Sequence, residues 1–287
     1  MKKIIAVLMA AALLALCMAG CGGSSSSAPA ADSAPADQAP ADAGSEPAAD
    51  GGEAGPALTA IQNSGTLTMM TATGFPPYEY IGEDGKPAGI DIDLAQLVAD
   101  RLGVKLEVLD MDFNLLVDSL KGGKGQLVAA GMSVTEERAA QIDFSVPYAQ
   151  DGQCLMVPVG STVSTVEDLE GLTVVVQEAT TGHIFATQEL GLEPLAFKNA
   201  VDCAATIMGG RADAAILDRT TILTLVSANE DKLMLAGEPL TEEEYVLGIA
   251  KGNEDFQAIV NEVLQAAIDD GTLDELMQKH LEIIAEG

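Results

Sequence analysis

From Leu58 onward, apolar positions alternate between two rhythms along the chain. Thr66 to Thr71 reads as a strand. Over Ile90 to Leu102, the residues Leu94, Leu97, Val98 and Leu102 recur at the spacing of one helical face. Val104, Leu106 and Val108 return to a period of two, which predicts a strand. Leu115, Leu116 and Leu120 predict a short helix closed by Gly122-Gly123, and Gln126 to Ala130 a buried strand. Gly171 ends a short acidic helix ahead of the β-branched run Thr173 to Val176. A helix over Ala200 to Met208 precedes the apolar strand Ala212 to Leu217. Asp255 to Ile268 and Leu273 to Ile284 predict two final helices separated by Gly271. Strands separated by helices imply parallel βαβ sheets. About 230 residues of this pattern fit two α/β lobes. Ligands of such sheets lie outside the carboxyl ends of strands, against helix N-termini.

The first 56 residues follow neither rhythm. Lys2 and Lys3 precede the almost wholly apolar run Ile4 to Met18, which is short for a spanning helix and leads into the small residues Ala19 and Gly20. Residues 1–20 therefore read as an export signal. Met18-Ala19-Gly20-Cys21 resembles the lipobox of bacterial lipoproteins, which implies lipidation at Cys21. The alternative is an ordinary secretory signal with a chance cysteine. Residues 21–56 are dominated by Gly, Ser, Ala, Pro and Asp, with no Lys, Arg or aromatic side chain. Such a stretch has nothing to form a core and is expected to be a disordered linker. The expectation is an extracytoplasmic domain, lipid-anchored to a bacterial membrane.

Charge and composition narrow the function. The 287 residues hold 44 acidic and 14 basic side chains, a formal net charge of −30. That charge repels phosphate backbones and anionic lipid, so nucleic-acid binding and a basic membrane-binding face are excluded. With 48% hydrophobic residues the chain can build a sizeable core. Two His and four Cys leave little for a metal site or disulfide framework. His183 and His280 have no neighbouring ligands in sequence, and neither a metal nor any other cofactor is expected. Export permits a bridge between Cys154 and Cys203, but nothing in the sequence brings them within reach, so a disulfide and two free thiols stay equally open.

The stretch Ala129-Ala130-Gly131-Met132-Ser133-Val134-Thr135-Glu136-Glu137-Arg138 carries the most chemistry. A strand is expected to end at Gly131 and a helix to start near Thr135. Ser133 and Thr135 are both good N-caps, and Ser133 with Glu136 has capping-box spacing. A helix N-terminus offers N–H groups and a hydroxyl to an anion, and Arg138 one turn in can add a bidentate guanidinium. From spacing alone, a capped helix with a surface arginine explains the same residues.

That stretch, running on to Ile142-Asp143-Phe144-Ser145-Val146-Pro147-Tyr148, resembles the signature of the extracellular amino-acid-binding proteins of ABC importers, solute-binding family 3. The resemblance begins at Gly74-Phe75-Pro76-Pro77-Tyr78-Glu79 and continues through Gly89-Ile90-Asp91-Ile92-Asp93-Leu94 and Met111-Asp112-Phe113. It resumes at Val175-Val176-Gln177-Glu178-Ala179-Thr180-Thr181, at Gly210-Arg211-Ala212-Asp213-Ala214 and at Asp218. It implies the two-lobed type II periplasmic-binding-protein fold, with two hinge strands and a ligand cleft between the lobes. Lobe 1 would be residues 57–149 plus 246–287 and lobe 2 residues 150–245, with hinges near Ala149 to Gly152 and Glu243 to Val246.

The same resemblance implies roles. Arg138 would pair with a ligand α-carboxylate, helped by Gly131, Ser133, Thr180 and Thr181. Asp218 would take the α-ammonium. Phe75 and Phe113 would line the side-chain pocket with Gln177 beside it. Read without the resemblance, Asp218 is also a plausible N-cap, the two threonines merely cap a helix, and the phenylalanines divide evenly between pocket and core. Three positions depart from the family pattern: Ala72 replaces a frequent ligand-contacting acid, Gln126 a usual Asp, and Ala179 a usual Gly. The function implied is capture of a free amino acid, of the neutral class, and delivery to a membrane ABC permease by a monomer with no catalytic residue. A sensor, or a dehydratase-type enzyme on the same fold, is the alternative.

Overall fold

The computed structural model describes residues 54–286. The signal segment 1–20, Cys21 and the linker through residue 53 lie outside the described residues. The described chain opens with helix α1, Pro56–Ser64, which has Pro at its first position and Gly65 as a left-handed C-cap. Asp255 accepts the Gly55 N–H at 2.6 Å and Asn253 the Ala57 N–H at 2.7 Å, fixing α1 near the C-terminal helices. No described helix is long and apolar enough to cross a membrane.

Two sheets follow. The first is built from β1 (Thr66–Thr71), β4 (Lys105–Asp110), β5 (Leu127–Ser133), β6 (Ile142–Phe144), β7 (Ala149–Asp151) and β13 (Glu243–Ala250). Its order is β4-β1-β5-β13-β6, with β7 also on β13. The pairs β1–β4 and β1–β5 are parallel, and β13 runs antiparallel to its three partners. The short strands β2 (Tyr80–Ile81) and β3 (Pro87–Ala88) form a hairpin. The second sheet is β10-β9-β11-β8-β12, from β8 (Gln153–Pro158), β9 (Val174–Gln177), β10 (Leu195–Phe197), β11 (Ala214–Asp218) and β12 (Leu233–Ala236). The helices are α2 (Ile90–Leu102), α3 (Leu116–Lys121), α4 (Glu136–Gln141), α5 (Thr181–Ile184), α6 (Ala200–Met208), α7 (Arg219–Ser227), α8 (Glu254–Asp269) and α9 (Thr272–Glu286).

The sheets are covered on both faces, so their strands lose the polar alternation of a half-exposed sheet. All seven residues of β5 are buried. Leu127 and Ala129 pack with Leu94, Ala95 and Val98 of α2, while Val128, Ala130 and Met132 face Leu116 and Leu120 of α3 and Phe113. The chain passes between the sheets twice, through Gly152 and through residues 237–242. At that passage β7 lies antiparallel to the start of β13, with Asp151 opposite Glu243 and Ala149 opposite Tyr245. These are the two crossing strands expected near Ala149 and Glu243.

One local expectation shifts and one open alternative is resolved. β5 continues through Ser133 rather than ending at Gly131, because β13 pairs with it at Met132 and Ser133. Cys154 in β8 and Cys203 in α6 are free, buried thiols, and burial pushes them up to about 11 and about 12.

Candidate functional site

The carboxyl ends of β5, β9 and β11 converge on a narrow cavity between the two sheets. All nine residues singled out in the sequence line it, together with Ala130. Phe75 comes from the loop after β1, Phe113 from a 3-10 turn after β4, and Gly131 and Ser133 from β5. Arg138 lies in the first turn of α4, and Gln177 ends β9. Thr180 and Thr181 start α5, and Asp218 ends β11.

Arg138 is buried. Thr135, not Ser133, is the N-cap of α4 and accepts the Arg138 N–H at 3.2 Å. The guanidinium donates to the Ser133 carbonyl at 2.7 Å and, across the cleft, to the Ala179 carbonyl at 3.0 Å. It lies 5.1 Å above the Phe113 ring. No carboxylate reaches it within ion-pair distance among the described residues. Burial lowers its pKa, against the pull of Glu243, Asp218 and Glu137. A buried cation with carbonyl partners and no counter-ion has the chemistry to take an anion. Ala179 holds φ at +62°, so a left-handed residue with a β-carbon presents that carbonyl where the family pattern has Gly.

Asp218 is the N-cap of α7 by position, yet its side chain caps nothing. Asp151 of β7 does that work, accepting the Thr220 N–H at 3.1 and 3.3 Å through its two oxygens. The Asp218 carboxyl is thereby left to the cavity, with Tyr245 donating to Oδ1 at 2.6 Å. Burial first, then the charge of Glu243, pushes Asp218 up to about 7.

The hydroxyls are already engaged. Thr180 caps α5 by accepting the His183 N–H at 3.3 Å and donates to the Gln177 carbonyl at 2.8 Å. Ser133 of β5 and Thr181 of α5 donate to the same Oε2 of Glu243 at 2.5 and 2.7 Å. Thr181 also accepts from Gln153 Nε2 at 3.1 Å. Gln177 is buried, and its Oε1 has no partner among the described residues. Phe75 and Phe113 are both pocket wall and core, each joining a separate apolar cluster.

Behind the pocket, Asp91 at the start of α2 accepts the Gly131 N–H at 2.8 Å and the Tyr148 hydroxyl at 2.7 Å. Burial raises Asp91 to about 6 and, with Asp91 beside it, holds Glu79 well above its usual range. Gly131 has φ of +52°, and a β-carbon there would lie 2.6 Å from the Phe75 ring. The position requires Gly twice over, for conformation and for space.

Sequence reasoning missed Glu243, Tyr245, Asp151, Gln153 and Asp91 as partners of the site. Only Asp91 carried a local signal, an acid in the first turn of a helix placed after Gly89. The others reach the pocket through strand register, which no local pattern reports.

The family model for bacterial extracellular solute-binding proteins, family 3, matches residues 67–283. The L-cystine-binding protein TcyJ of Escherichia coli (strain K12) is 30% identical over 225 residues, 77% of this chain and 85% of that protein. Among solved structures, the truncated, arginine-bound ArgBP of T. maritima superposes with a TM-score of 0.70 at 37% identity, covering 72% of this chain and 99% of that one. An ancestral arginine-binding protein bound to glutamine gives 0.70 at 36% identity, covering 75% and 97%. The two-lobed architecture with its paired crossing strands is thus the type II periplasmic-binding-protein fold, and its relatives are named as binding proteins, not enzymes. The chain belongs to the bacterial extracellular solute-binding proteins of family 3.

Proposed function

We propose that this protein binds one free amino acid with a neutral side chain between its lobes and hands it to the permease of an ABC importer. The observation that carries the reading is the charge inventory of the cavity wall: one buried cation, Arg138, one buried acid, Asp218, and otherwise uncharged residues. An amino acid brings one carboxylate and one ammonium, and each would meet its opposite there. The N-terminal turn of α5 would add donors for the carboxylate, whereas the Gly131 N–H, expected to help, is already given to Asp91. Phe75 and Phe113 offer apolar faces to the side chain, and the unpartnered Gln177 Oε1 offers one acceptor. Ala72, where the family often supplies an acid to a cationic side chain, is buried among Met70, Ala130 and Met132 and does not line the cavity. A buried cationic side chain without such a partner is heavily penalised. Cystine, bound by one relative, and glutamine, bound by the ancestral arginine-binding protein, carry no net charge, whereas an ancestral arginine-binding protein and the T. maritima protein were each also solved with arginine.

Lobe 1, residues 57–149 plus 246–287, and lobe 2, residues 150–245, are the bodies we expect to close on the ligand about β7 and β13. Closure is selected because a ligand touching both lobes binds the closed state better than the open one. The domain is expected to be a monomer anchored through a lipid on Cys21. Labelling with a fatty-acid analogue should mark the wild type and not Cys21→Ser.

A thermal-shift panel of the amino acids, followed by calorimetry with Gln, Ser, Leu, cystine, Arg, Lys and Glu, tests the ligand class. A ligand that binds only the folded state raises the melting temperature. Tightest binding by a neutral member supports the reading. Tightest binding by Arg, Lys or Glu refutes the neutral class, and no response to any amino acid refutes the function.

A further inference from the structure

The acid assigned to the ammonium is held from behind by a residue of the returning strand. Tyr245 lies on β13, opposite Ala149 of β7 and Ser133 of β5, and not in the sheet that carries Asp218. It is fully buried. Three other rings pack around it: Tyr78 edge-on at 4.9 Å, Phe75 at 6.3 Å and Tyr148 at 6.4 Å between centroids. The hydroxyl donates to Oδ1 of Asp218 at 2.6 Å, against a long 3.4 Å approach to Asp151. Asp151 has its own donors in the Thr220 and Gly152 N–H groups.

We propose that Tyr245 is a positioning residue for the ammonium site, donating to one oxygen of Asp218 and orienting that carboxyl toward the cavity. The inference rests on Asp218 being the ammonium acceptor. It adds that the acceptor is completed by a donor delivered along the crossing strand.

A hydrogen bond donated to a carboxylate favours its charged form. Around Asp218, burial and the acids Glu243 of β13 and Asp151 of β7 act the other way, while Gln153 of β8 assists the phenol. Tyr78 and Glu79, on the loop after β1, and Arg138 of α4 also sense its charge. Of these groups only Tyr245 donates a proton to it at under 3 Å.

Tyr245→Phe keeps the ring and removes the donor. Carbon-13 NMR titration of the Asp218 carboxyl, assigned with Asp218→Asn, reads the effect in ligand-free protein. The midpoint is expected to rise by roughly one pH unit. Calorimetry from pH 6 to 9 with the tightest amino acid of the panel should then show about fivefold weaker binding at pH 7, recovering toward wild type as pH rises. An unchanged midpoint overturns the proposal. So does an affinity loss equal at every pH, which marks a merely structural role. Failure of the wild type to bind any amino acid removes the ammonium site altogether, and the panel detects that separately from the midpoint.

Discussion

Asp218→Asn separates the stability of the cleft from its use. The carboxyl is buried and pushed from 3.8 up to about 7, chiefly by burial and secondly by Glu243. A folded-state value above the unfolded one means the folded protein binds the proton more tightly. The stability gained from that proton is complete below the unfolded value, declines as pH rises between 3.8 and about 7, and is lost above it. About three units correspond to roughly 4 kcal/mol, an upper figure for the penalty of the ionised wild type at pH 8.5. At pH 5 the same arithmetic leaves under about 2 kcal/mol. Asparagine carries no charge, fills the same space and still accepts the Tyr245 hydroxyl. The variant should therefore be more stable than wild type without ligand, with a gap that widens from pH 5 to pH 8.5. For a fold of this size the gap at pH 8.5 amounts to roughly 10 °C in melting temperature. Thermal unfolding of both proteins at the two pH values measures it, and calorimetry should show amino-acid binding lost in the same variant. An Asn variant less stable than wild type at pH 8.5, or a gap independent of pH, refutes the reasoning.

Three further substitutions probe the surroundings of Arg138. Arg138→Ala should weaken amino-acid binding by about 3–5 kcal/mol, since a ligand carboxylate would be left unpaired in a dry site, and calorimetry reads this directly. Gly131→Ala forces a β-carbon to 2.6 Å from the Phe75 ring at a left-handed φ and should cost roughly 1–3 kcal/mol in urea unfolding as well as affinity. Ala179→Gly relieves the left-handed strain at φ +62° and should stabilise by about 1 kcal/mol in the same assay, less whatever the freer unfolded chain takes back.

The pocket was legible chiefly through the family resemblance, since spacing alone reads Arg138, Thr180 and Asp218 equally as a surface arginine and two helix caps. The structure puts all three where a strand runs out into a helix, at one end of the sheets. One departure from the family pattern, Gln126, does the same physical work as the acid it replaces. Gln126 Oε1 accepts the Thr68 N–H at 3.0 Å, and Asp213 accepts the Thr173 N–H at 2.8 Å at the matching corner of the second sheet. Both side chains tie the start of one strand to its neighbour, and the amide does so as well as the acid. Strand register was not legible. Glu243 and Tyr245 stand two residues apart on β13, so both point to one face, yet their targets lie 62 and 27 residues away in sequence. The choice between cap and ligand group at Asp218 also hung on a distant residue, since it depended on Asp151 taking the Thr220 N–H.

The cleft is assembled from groups whose needs the protein does not meet by itself. Among the described residues, Arg138 is buried without a carboxylate, Asp218 is buried and resists ionisation, and Gln177 Oε1 is buried without a donor. Each is costly alone, because desolvated charge and unpaired polar atoms are penalised in a dry interior. Ser133 and Thr181 follow the opposite rule: Glu243 accepts both hydroxyls and ties β5 and β13 to the start of α5 through them. On the proposed reading, the charged groups are left unsatisfied because an amino acid supplies the missing partners together, carboxylate to Arg138 and ammonium to Asp218. Binding would then gain from relieving penalties already present in the folded protein, in addition to the contacts it makes. A ligand lacking either charge relieves only one of them and leaves the other buried and alone. Discrimination for the zwitterion would thus come from the wall's unpaired charges, while choice among side chains falls to the weaker contacts with Phe75, Phe113 and Gln177.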